Sequence, residues 1–414
     1  SLAIACLSGC SAANTEIASS SAATATVTPT TDSTEVPASN NVFTSAGDGL
    51  YVTTDSGIYE LQTVFPDSAN IFYTDANTKE RIFLCANPNC THADESCPSY
   101  IATPSAMFPP MLLRVGDQLL VVFTEATDSS NPHGMLMNMD GSNRRTVFEL
   151  ASNQYMQGGF CTSGNDLYFD LYEINDSGNV TYQLWYVSFE NGTSEKVMDL
   201  GSDSDHYSLC DGANNELSFN HVSSDGISYC MYNPQSKTIS DPFFVDSSVS
   251  GNSMIQDGYL FVLDEQASSV QRIRLSDEEQ ASASFTVKEG FGAPSMRYLF
   301  DGNLMITEAQ TTASDIPTDG SYGVCSYILD FGTRNCTEFT LQTPYNNRPV
   351  YVLTTIGDAC YVATDYKTYT PTSVSEDGTV SNFDYVANIY AFITKQDYIN
   401  SNQNGYSMVK DAFE

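Results

Sequence analysis

The stretch LRVGDQLLVVF, residues 113–123, places a glycine and an aspartate between two apolar runs. Gly and Asp accept the positive φ angles of tight hairpin turns, so this segment predicts two antiparallel strands joined at Gly116. The same pattern recurs along the chain, always with the glycine next to Asp or Asn. Its seven copies centre on Gly47, Gly116, Gly164, Gly212, Gly258, Gly302 and Gly357.

The spacing of these glycines sets the size of the repeat. Successive intervals are 69, 48, 48, 46, 44 and 55 residues. Between them lies a second pattern, an apolar strand that runs into a polar turn, as in MLMNMDGSNRR at 135–145 and YILDFGTRN at 327–335. With the short strand that follows, each copy holds about four strands in ~45 residues, which is the period of a β-propeller blade.

We therefore predict an all-β fold, a β-propeller of seven four-stranded blades over residues 41–414, with six or eight blades as alternatives. A blade has two apolar faces, and radial stacking buries each face against a neighbour. The composition suits strands, because the chain contains 25 Tyr and 22 Phe. Either GYSMVK at 405–410 or the strand near Val42 and Phe43 would complete the seventh blade.

The first forty residues predict an exported, lipid-anchored protein. The apolar run before Leu7-Ser8-Gly9-Cys10 resembles the bacterial lipoprotein signal, whose cysteine takes a diacylglycerol on its thiol. An ordinary cleaved signal or a short core helix is the alternative. Residues 11–40 contain no aromatic residue, Lys or Arg, and such a segment cannot bury enough apolar surface to fold. We expect a truncated lipoprotein signal at 1–9, lipid on Cys10, and a flexible tether over 10–40 outside the bacterial cell membrane.

The charge of the chain limits its partners. The formal net charge is −35, from 51 acidic and 16 basic residues. We expect no nucleic-acid partner, because phosphate binding needs patches of Lys and Arg. The acidic excess suits the solubility of an exported protein, and attraction of cationic ligands is the functional alternative.

The segment LCANPNCTHADESC, residues 84–97, concentrates three cysteines and one of the four histidines. Cys85, Cys90, His92 and Cys97 are the donor set of a closed Cys3His zinc site, which would be structural because four protein ligands leave no position for water. A disulfide such as Cys85–Cys97 is the competing interpretation for an exported protein. The segment accounts for the long first interval, so we expect an insertion at about 85–110, after the last strand of the first blade and outside it.

Together, the lipoprotein signal, the tether, the Tyr- and Phe-rich repeats and the Cys-x4-Cys-x-His-x4-Cys segment resemble a known group. They are similar to the uncharacterised β-propeller surface lipoproteins of Gram-positive gut anaerobes. The likeness extends over the whole chain, although only the Cys/His segment is specific. It implies the propeller fold and a surface location, and it brings no established activity.

Catalytic motifs are scarce in this sequence, which lacks a Gly-x-Ser-x-Gly elbow, a His-Glu-x-x-His helix and a Gly-Lys phosphate loop. His133, His206 and His221 could act as bases, but a surface turn or strand end is their simpler role. We therefore expect a non-enzymatic, membrane-anchored protein that binds an unknown protein, peptide or glycan. The alternative is an extracellular carbohydrate-active enzyme, a hydrolase or lyase, with acidic residues at the propeller channel.

Overall fold

The fold is taken from a computed structural model of the 414-residue chain. The structure describes residues 43–45, 49–64, 68–103, 108–213, 215–224, 226–244, 253–310, 323–369, 372–374, 380–382 and 385–411. The predicted signal at 1–9, the lipid acceptor Cys10, the tether over 10–40 and Gly47 all lie outside these residues. Within the described ranges, no helix is long and apolar enough to cross a bilayer.

The prediction of an all-β fold is confirmed, and nearly all the strand pairs are antiparallel. After the short strand β1 (Thr44–Ser45), we group the described strands into seven consecutive units of about four strands. Units three and four belong to one ten-stranded sheet, and a separate two-stranded hairpin accompanies unit seven. Unit one contains β2 (Tyr51–Thr53), β3 (Gly57–Val64), β4 (Ser68–Asp75), β5 (Glu80–Phe83) and β6 (Tyr100–Ala102). Unit two contains β7 (Met111–Val115), β8 (Gln118–Phe123), β9 (His133–Asn138) and β10 (Arg145–Glu149). Unit three contains β11 (Gln154–Ser163), β12 (Asp166–Ile174), β13 (Val180–Ser188) and β14 (Thr193–Ser202).

The remaining units continue in chain order. Unit four contains β15 (Asp205–Ala213), β16 (Glu216–Ser223), β17 (Gly226–Asn233), β18 (Thr238–Ile239) and β19 (Phe243–Phe244). Unit five contains β20 (Ser253–Gln256), β21 (Tyr259–Asp264), β22 (Ser269–Arg274) and β23 (Gln280–Ser284). Unit six contains β24 (Phe291–Tyr298), β25 (Leu304–Gln310), β26 (Val324–Asp330) and β27 (Asn335–Phe339).

Unit seven has the most elaborate connections. Its members are β28 (Val352–Ile356), β29 (Ala359–Tyr369), the hairpin of β30 (Thr372–Val374) and β31 (Val380–Asn382), β32 (Tyr385–Thr394), and β33 (Ser407–Met408). A short helix, α1 (Lys395–Ile399), and a 3-10 turn at Gln403–Gly405 lie between the last two strands. The helix begins where the side chain of Thr394 accepts the N–H of Asp397 at 3.0 Å. The final strand is β34 (Lys410–Asp411).

The predicted glycine turns form between the first and second strands of five units. At Gly116 the glycine alone has a positive φ, +55°, which is the pattern of a type II′ hairpin. At Asp257-Gly258 both residues have positive φ, 53° and 73°, which is the pattern of type I′. Both turn types match the right-handed twist of the strands that they join.

Two copies of the pattern are placed differently from the prediction. In unit one the turn between β2 and β3 lies at residues 54–57 and not at Gly47. Thr54 closes this turn, because its Oγ1 accepts the N–H of Gly57 at 3.2 Å. This turn is thus closed by a side-chain hydrogen bond and does not depend on a glycine next to Asp or Asn. In unit four, Gly212 lies inside β15, opposite Leu217, and the turn follows Ala213.

The two chain ends pair with different units. Strand β33, which lies within GYSMVK, pairs with β32 and completes unit seven. Strand β34 then runs parallel to β5 of unit one. The strand beside Phe43 pairs instead with β11 of unit three, where Thr44 lies opposite Thr162. The C-terminal segment is therefore the one that completes the last unit.

Among the described residues, the buried apolar side chains form seven clusters. Each cluster lies between two units that follow one another in the chain or between unit seven and unit one. Between units two and three, for example, Leu120 and Phe148 pack with Phe160 and Leu167. The cluster that joins unit seven to unit one contains Ile58 and Tyr361. Every unit thus buries apolar surface against two neighbours.

Candidate metal centre and central cavity

The four predicted metal ligands lie together. One donor atom from each of Cys85, Cys90, His92 and Cys97 lies within 4.8 Å of all the others. Tetrahedral zinc, with Zn–S near 2.3 Å and Zn–N near 2.1 Å, places donor atoms roughly 3.5–3.8 Å apart. The widest pair would therefore have to close by about 1 Å, so this cluster could hold a metal ion.

The loop that carries these donors is anchored at both ends on β4. It leaves β5 after Phe83, which pairs with Phe72, and it returns as β6, where Tyr100 pairs with Asn70. We expected the insertion to lie outside the strands of its unit. Instead, its last residues form part of the sheet edge, because β4 is long enough to pair with both β5 and β6.

Cys97 is the buried member of the cluster, with 1% of its surface exposed. Its Sγ lies 3.2 Å from His92 Nδ1 and accepts the N–H of Ser99 at 3.4 Å. Burial raises the pKa of this thiol, but the hydrogen bonds from His92 and Ser99 outweigh burial and bring the pKa down to about 6. The thiolate is the form that binds metals, so Cys97 is ready to act as a ligand.

Cys85 shows the opposite behaviour. Burial, together with the neighbouring Cys97 and Cys90 thiols, raises its pKa to about 11, although a hydrogen bond from Asn87 opposes the shift. A metal ion would have to displace this proton. Metal binding at this cluster is therefore expected to release protons and to weaken as the pH falls.

His92 is held in a conformation that non-glycine residues adopt infrequently. Its φ is +56°, in the left-handed region. The imidazole ring stacks on Phe83 with 4.0 Å between centroids and 10° between planes, and the backbone N–H points at Cys90 Sγ, 3.4 Å away. These contacts orient the imidazole towards the sulfur atoms.

Arg144 of unit two, which the sequence analysis did not single out, holds the Cys/His loop in place. The guanidinium of Arg144 donates to the carbonyl oxygen of Tyr100 at 2.6 Å, to that of Pro98, and to that of Gly141 at 3.1 Å. Burial lowers the pKa of Arg144, and the nearby Cys97 and Glu95 oppose the shift. The contact joins segments more than forty residues apart, so no local sequence pattern reveals it.

The nine cysteines of the described residues are all free thiols in the structure. The alternative disulfide Cys85–Cys97 is therefore not formed there. Five of the nine are buried, and Cys336 is the exposed one. Buried free thiols behave as small apolar side chains in a core.

The histidines outside the cluster are not brought together, and each stacks on an aromatic ring. His133 stacks on Phe123, His206 on Tyr182 and His221 on Tyr207, with centroid distances between 4.0 and 4.4 Å. His221 Nε2 also lies 2.7 Å from Asp205 Oδ1. None of the three is among the described residues that line the cavity considered next.

A cavity of about 750 Å³ lies where the first strands of the units meet. Residues of β2, β7, β11, β20, β24 and β28 line it, and Ser45 of β1 contributes as well. Thr53 of unit one and Thr354 of unit seven are hydrogen-bonded beside it, with 2.9 Å between their Oγ1 atoms. The described lining of this central cavity therefore comes from six of the seven units and not from one of them.

The enzyme alternative requires acidic residues at the channel, but the charged residues in the described lining of the central cavity are basic. Of the nineteen described residues in its lining, Arg114 and Arg297 are charged, and none is Asp or Glu. The expected acidic residues at the channel are thus not found in this lining. The inner positions carry hydroxyl, apolar and arginine side chains instead.

No family model and no curated protein matches this sequence. Among solved structures, the chain is similar to the tricorn protease, with 10% identity over 83% of this chain and 35% of that chain and a TM-score of 0.29. It is also similar to oligogalacturonate lyase from Vibrio parahaemolyticus, with 10% identity over 84% and 91% of the two chains and a TM-score of 0.39. The β-propeller domain of the Trilobed protease from Pyrococcus furiosus matches at 13% identity over 74% and 99%, with a TM-score of 0.37. The chain thus spans about a third of the tricorn protease and most of the other two, and likeness of this degree does not establish a shared fold or activity.

Proposed function

We propose that this protein is a seven-bladed β-propeller on the bacterial cell surface that binds a ligand in its central cavity without transforming it. The single observation that carries the proposal is the set of seven buried clusters, one between each unit and the next and one between unit seven and unit one. A closed ring of stacked blades accounts for all seven. It also accounts for a cavity lined by first strands.

The central cavity suits a small ligand or a protruding part of a larger one. Its volume of about 750 Å³ falls within the roughly 300–1,000 Å³ that is typical of small-molecule sites. Glycoside hydrolysis needs two carboxyl groups about 5–9.5 Å apart at the bound sugar. The described lining offers no carboxylate, which favours binding over hydrolysis.

The binding proposal is tested with the purified protein on glycan and peptide arrays. We expect saturable binding to at least one class of probe, and loss of that binding in Gln256→Trp, because an indole at this lining position fills part of the cavity. Arg145→Trp, at an exposed position outside the cavity lining, is the matched control. Turnover of a bound glycan would contradict the non-enzymatic proposal and favour a hydrolase or lyase.

The attachment to the membrane is proposed from Cys10 and the residues that follow it. A flexible chain of the length of residues 10–40 has a root-mean-square span of about 30 Å, which would hold the propeller clear of the lipid headgroups. Labelling of cells with a palmitate analogue tests the anchor. Wild-type protein is expected to take the label and to partition into detergent, whereas Cys10→Ala is expected to do neither; equal labelling of both would overturn the proposal.

For the Cys/His cluster we propose a structural zinc ion held by Cys85, Cys90, His92 and Cys97. A closed site with four protein ligands would staple the loop between β5 and β6 and would leave no position for catalysis. Elemental analysis with thiol counting tests it. One zinc per chain, with three thiols protected until a chelator is added, is the expected result; no metal and two thiols lost to oxidation would overturn it.

A further inference from the structure

The lining of the central cavity has a charge opposite to that of the chain. The sequence contains 51 acidic and 16 basic residues, about three acids for each base. The described lining of the central cavity reverses this ratio, because it contains two arginines and no acidic residue. A ligand that enters the central cavity therefore meets positive charge inside an acidic protein.

Both arginines are held in place while their guanidinium groups stay accessible. Arg114 donates from Nε to the carbonyl oxygen of Gly116 at 2.9 Å, and its side chain is 45% exposed. Its carboxylate neighbour Asp117 lies 3.6 Å away and is fully exposed, so this ion pair is weak and a ligand carboxylate can compete for the guanidinium. Arg297 lies over the ring of Tyr351 at 4.5 Å and donates to the carbonyl oxygen of Val352 at 3.5 Å. Within the part of the chain that the structure describes, it forms no ion pair with a carboxylate.

An adjoining cavity of about 440 Å³ extends the positive region. It shares Thr53, Arg114 and Thr355 with the central cavity and adds Lys79, with Asp55 as its one described acid. The Lys79 ammonium lies 4.0 Å from the centroid of a phenylalanine ring, which limits its movement. Lys79 thus adds a third cationic side chain, in a second cavity that shares part of its wall with the central one.

The other side chains around the central cavity favour a hydroxyl-rich ligand. Seven lining residues carry hydroxyl groups, and all seven are partly exposed: Ser45, Tyr51, Thr53, Thr162, Tyr298, Thr354 and Thr355. Five of the apolar lining residues are instead buried in the walls: Val52, Leu112, Leu113, Leu299 and Val352. The surface that a ligand meets is therefore polar and apolar in about equal parts, with its hydroxyl groups on the accessible side.

We propose that the central cavity recognises a carboxylate-bearing sugar, with Arg114 and Arg297 contacting its carboxylates and the lining hydroxyls contacting its hydroxyl groups. The proposal rests on the central cavity being the ligand site of the proposed function. The planar guanidinium donates two parallel hydrogen bonds to a carboxylate, which a neutral sugar cannot accept. Repulsion by the acidic surface is screened beyond about 8 Å at physiological salt, so contacts inside the cavity decide the affinity.

Calorimetric titration with three probes tests the ligand class: tri-galacturonate, its methyl ester and tri-glutamate. The ester keeps the sugar skeleton and removes its charge, and the peptide keeps the charge and removes the sugar. We expect tri-galacturonate to bind at least tenfold more tightly than either of the other two. Arg114→Gln and Arg297→Gln are each expected to weaken its binding about tenfold to a hundredfold, since each removes a charge-assisted contact.

Arg145→Gln is the matched control, because it removes the same charge from an exposed position outside the lining. It should bind like the wild type, and equal circular dichroism spectra would show that all variants are folded. Equal affinity for the acid and its ester would overturn the inference while leaving a ligand-binding cavity in place. Stronger binding of tri-glutamate, or no binding of tri-galacturonate, would also overturn it; the array experiment then decides separately whether the protein binds ligands at all.

Discussion

The guanidinium of Arg81 lies 2.8 Å from Glu60 Oε2, and the two side chains are only 4% and 5% exposed. This buried ion pair of unit one also contacts the last described strand, because Arg81 lies 3.3 Å from Asp411 of β34. On the other side, the hydroxyl of Tyr390 in unit seven donates to Glu60. A polar network therefore accompanies the apolar cluster that joins unit seven to unit one.

We predict that Arg81→Met destabilises the protein by about 3–5 kcal/mol, because it leaves the Glu60 carboxylate buried without its partner. Adding Glu60→Leu should recover more than half of that loss, since two apolar side chains replace the pair. Urea unfolding of the single and double variants measures both effects. Asp411→Asn, which alters a more exposed partner, is expected to cost less than about 1 kcal/mol; a double variant as unstable as the sum of the singles would contradict the prediction.

A second prediction concerns the metal centre. Cys97→Ser should abolish stoichiometric metal binding and lower the unfolding midpoint, whereas Cys336→Ser, at an exposed thiol outside the cluster, should change neither. With free metal at 1,000 times its Kd, binding contributes about 4 kcal/mol to stability. Thermal unfolding with and without a chelator measures the contribution. A wild-type midpoint that a chelator leaves unchanged would show that no bound metal stabilises the fold.

The third prediction concerns Arg144, whose guanidinium holds the Cys/His loop through three carbonyl oxygens. Arg144→Lys keeps the charge but cannot span these acceptors, so we expect a loss of about 1–3 kcal/mol and faster release of the metal. Arg145→Lys, at the next residue and exposed, is the control. Metal release to a chromogenic chelator gives the rate, and similar rates for the two variants would argue against the brace.

The fourth prediction follows from Asp170, a carboxyl that is 1% exposed and accepts the N–H of Leu209 at 3.1 Å. Burial raises its pKa to about 7, although hydrogen bonds from Leu209 and Gly159 oppose the shift. Because the pKa is higher in the folded state than in the unfolded state, this group favours folding at low pH. Its contribution is lost as the pH rises from about 4 to about 7.

Asp170→Asn should therefore be more stable than the wild type at pH 8 by about 1–3 kcal/mol, since no charge has to be buried. The difference should shrink towards zero near pH 4. Denaturant unfolding across this pH range tests it, with Asp176→Asn in the exposed turn of the same hairpin as the control. A difference that does not vary with pH would mean that Asp170 is uncharged or unperturbed in the fold.

The sequence by itself was sufficient for the repeat, the strand class and most of the turns. These are local properties, because a Gly-Asp pair such as Gly116-Asp117 and the alternation of apolar residues act within a few positions of the chain. Unit one was not predicted correctly, since its turn at residues 54–57 is closed by the Thr54 side chain, and Gly57 has no Asp or Asn beside it. That Cys85, Cys90, His92 and Cys97 lie together was also predicted, because they fall within thirteen residues of the chain.

Which segments come into contact could not be predicted from these local patterns. Residues far apart in the chain are joined by the pairing of β34 with β5, the pairing of β1 with β11 of unit three, and the contacts of Arg144 with the Cys/His loop. The positive charge of the cavity lining could not be predicted from the sequence for the same reason. Its lining collects one or a few residues from each of several strands, so an acidic sequence encloses a cavity with Arg114 and Arg297 in its lining. Composition reports an average over the whole chain, whereas a binding site depends on the few side chains that folding brings together.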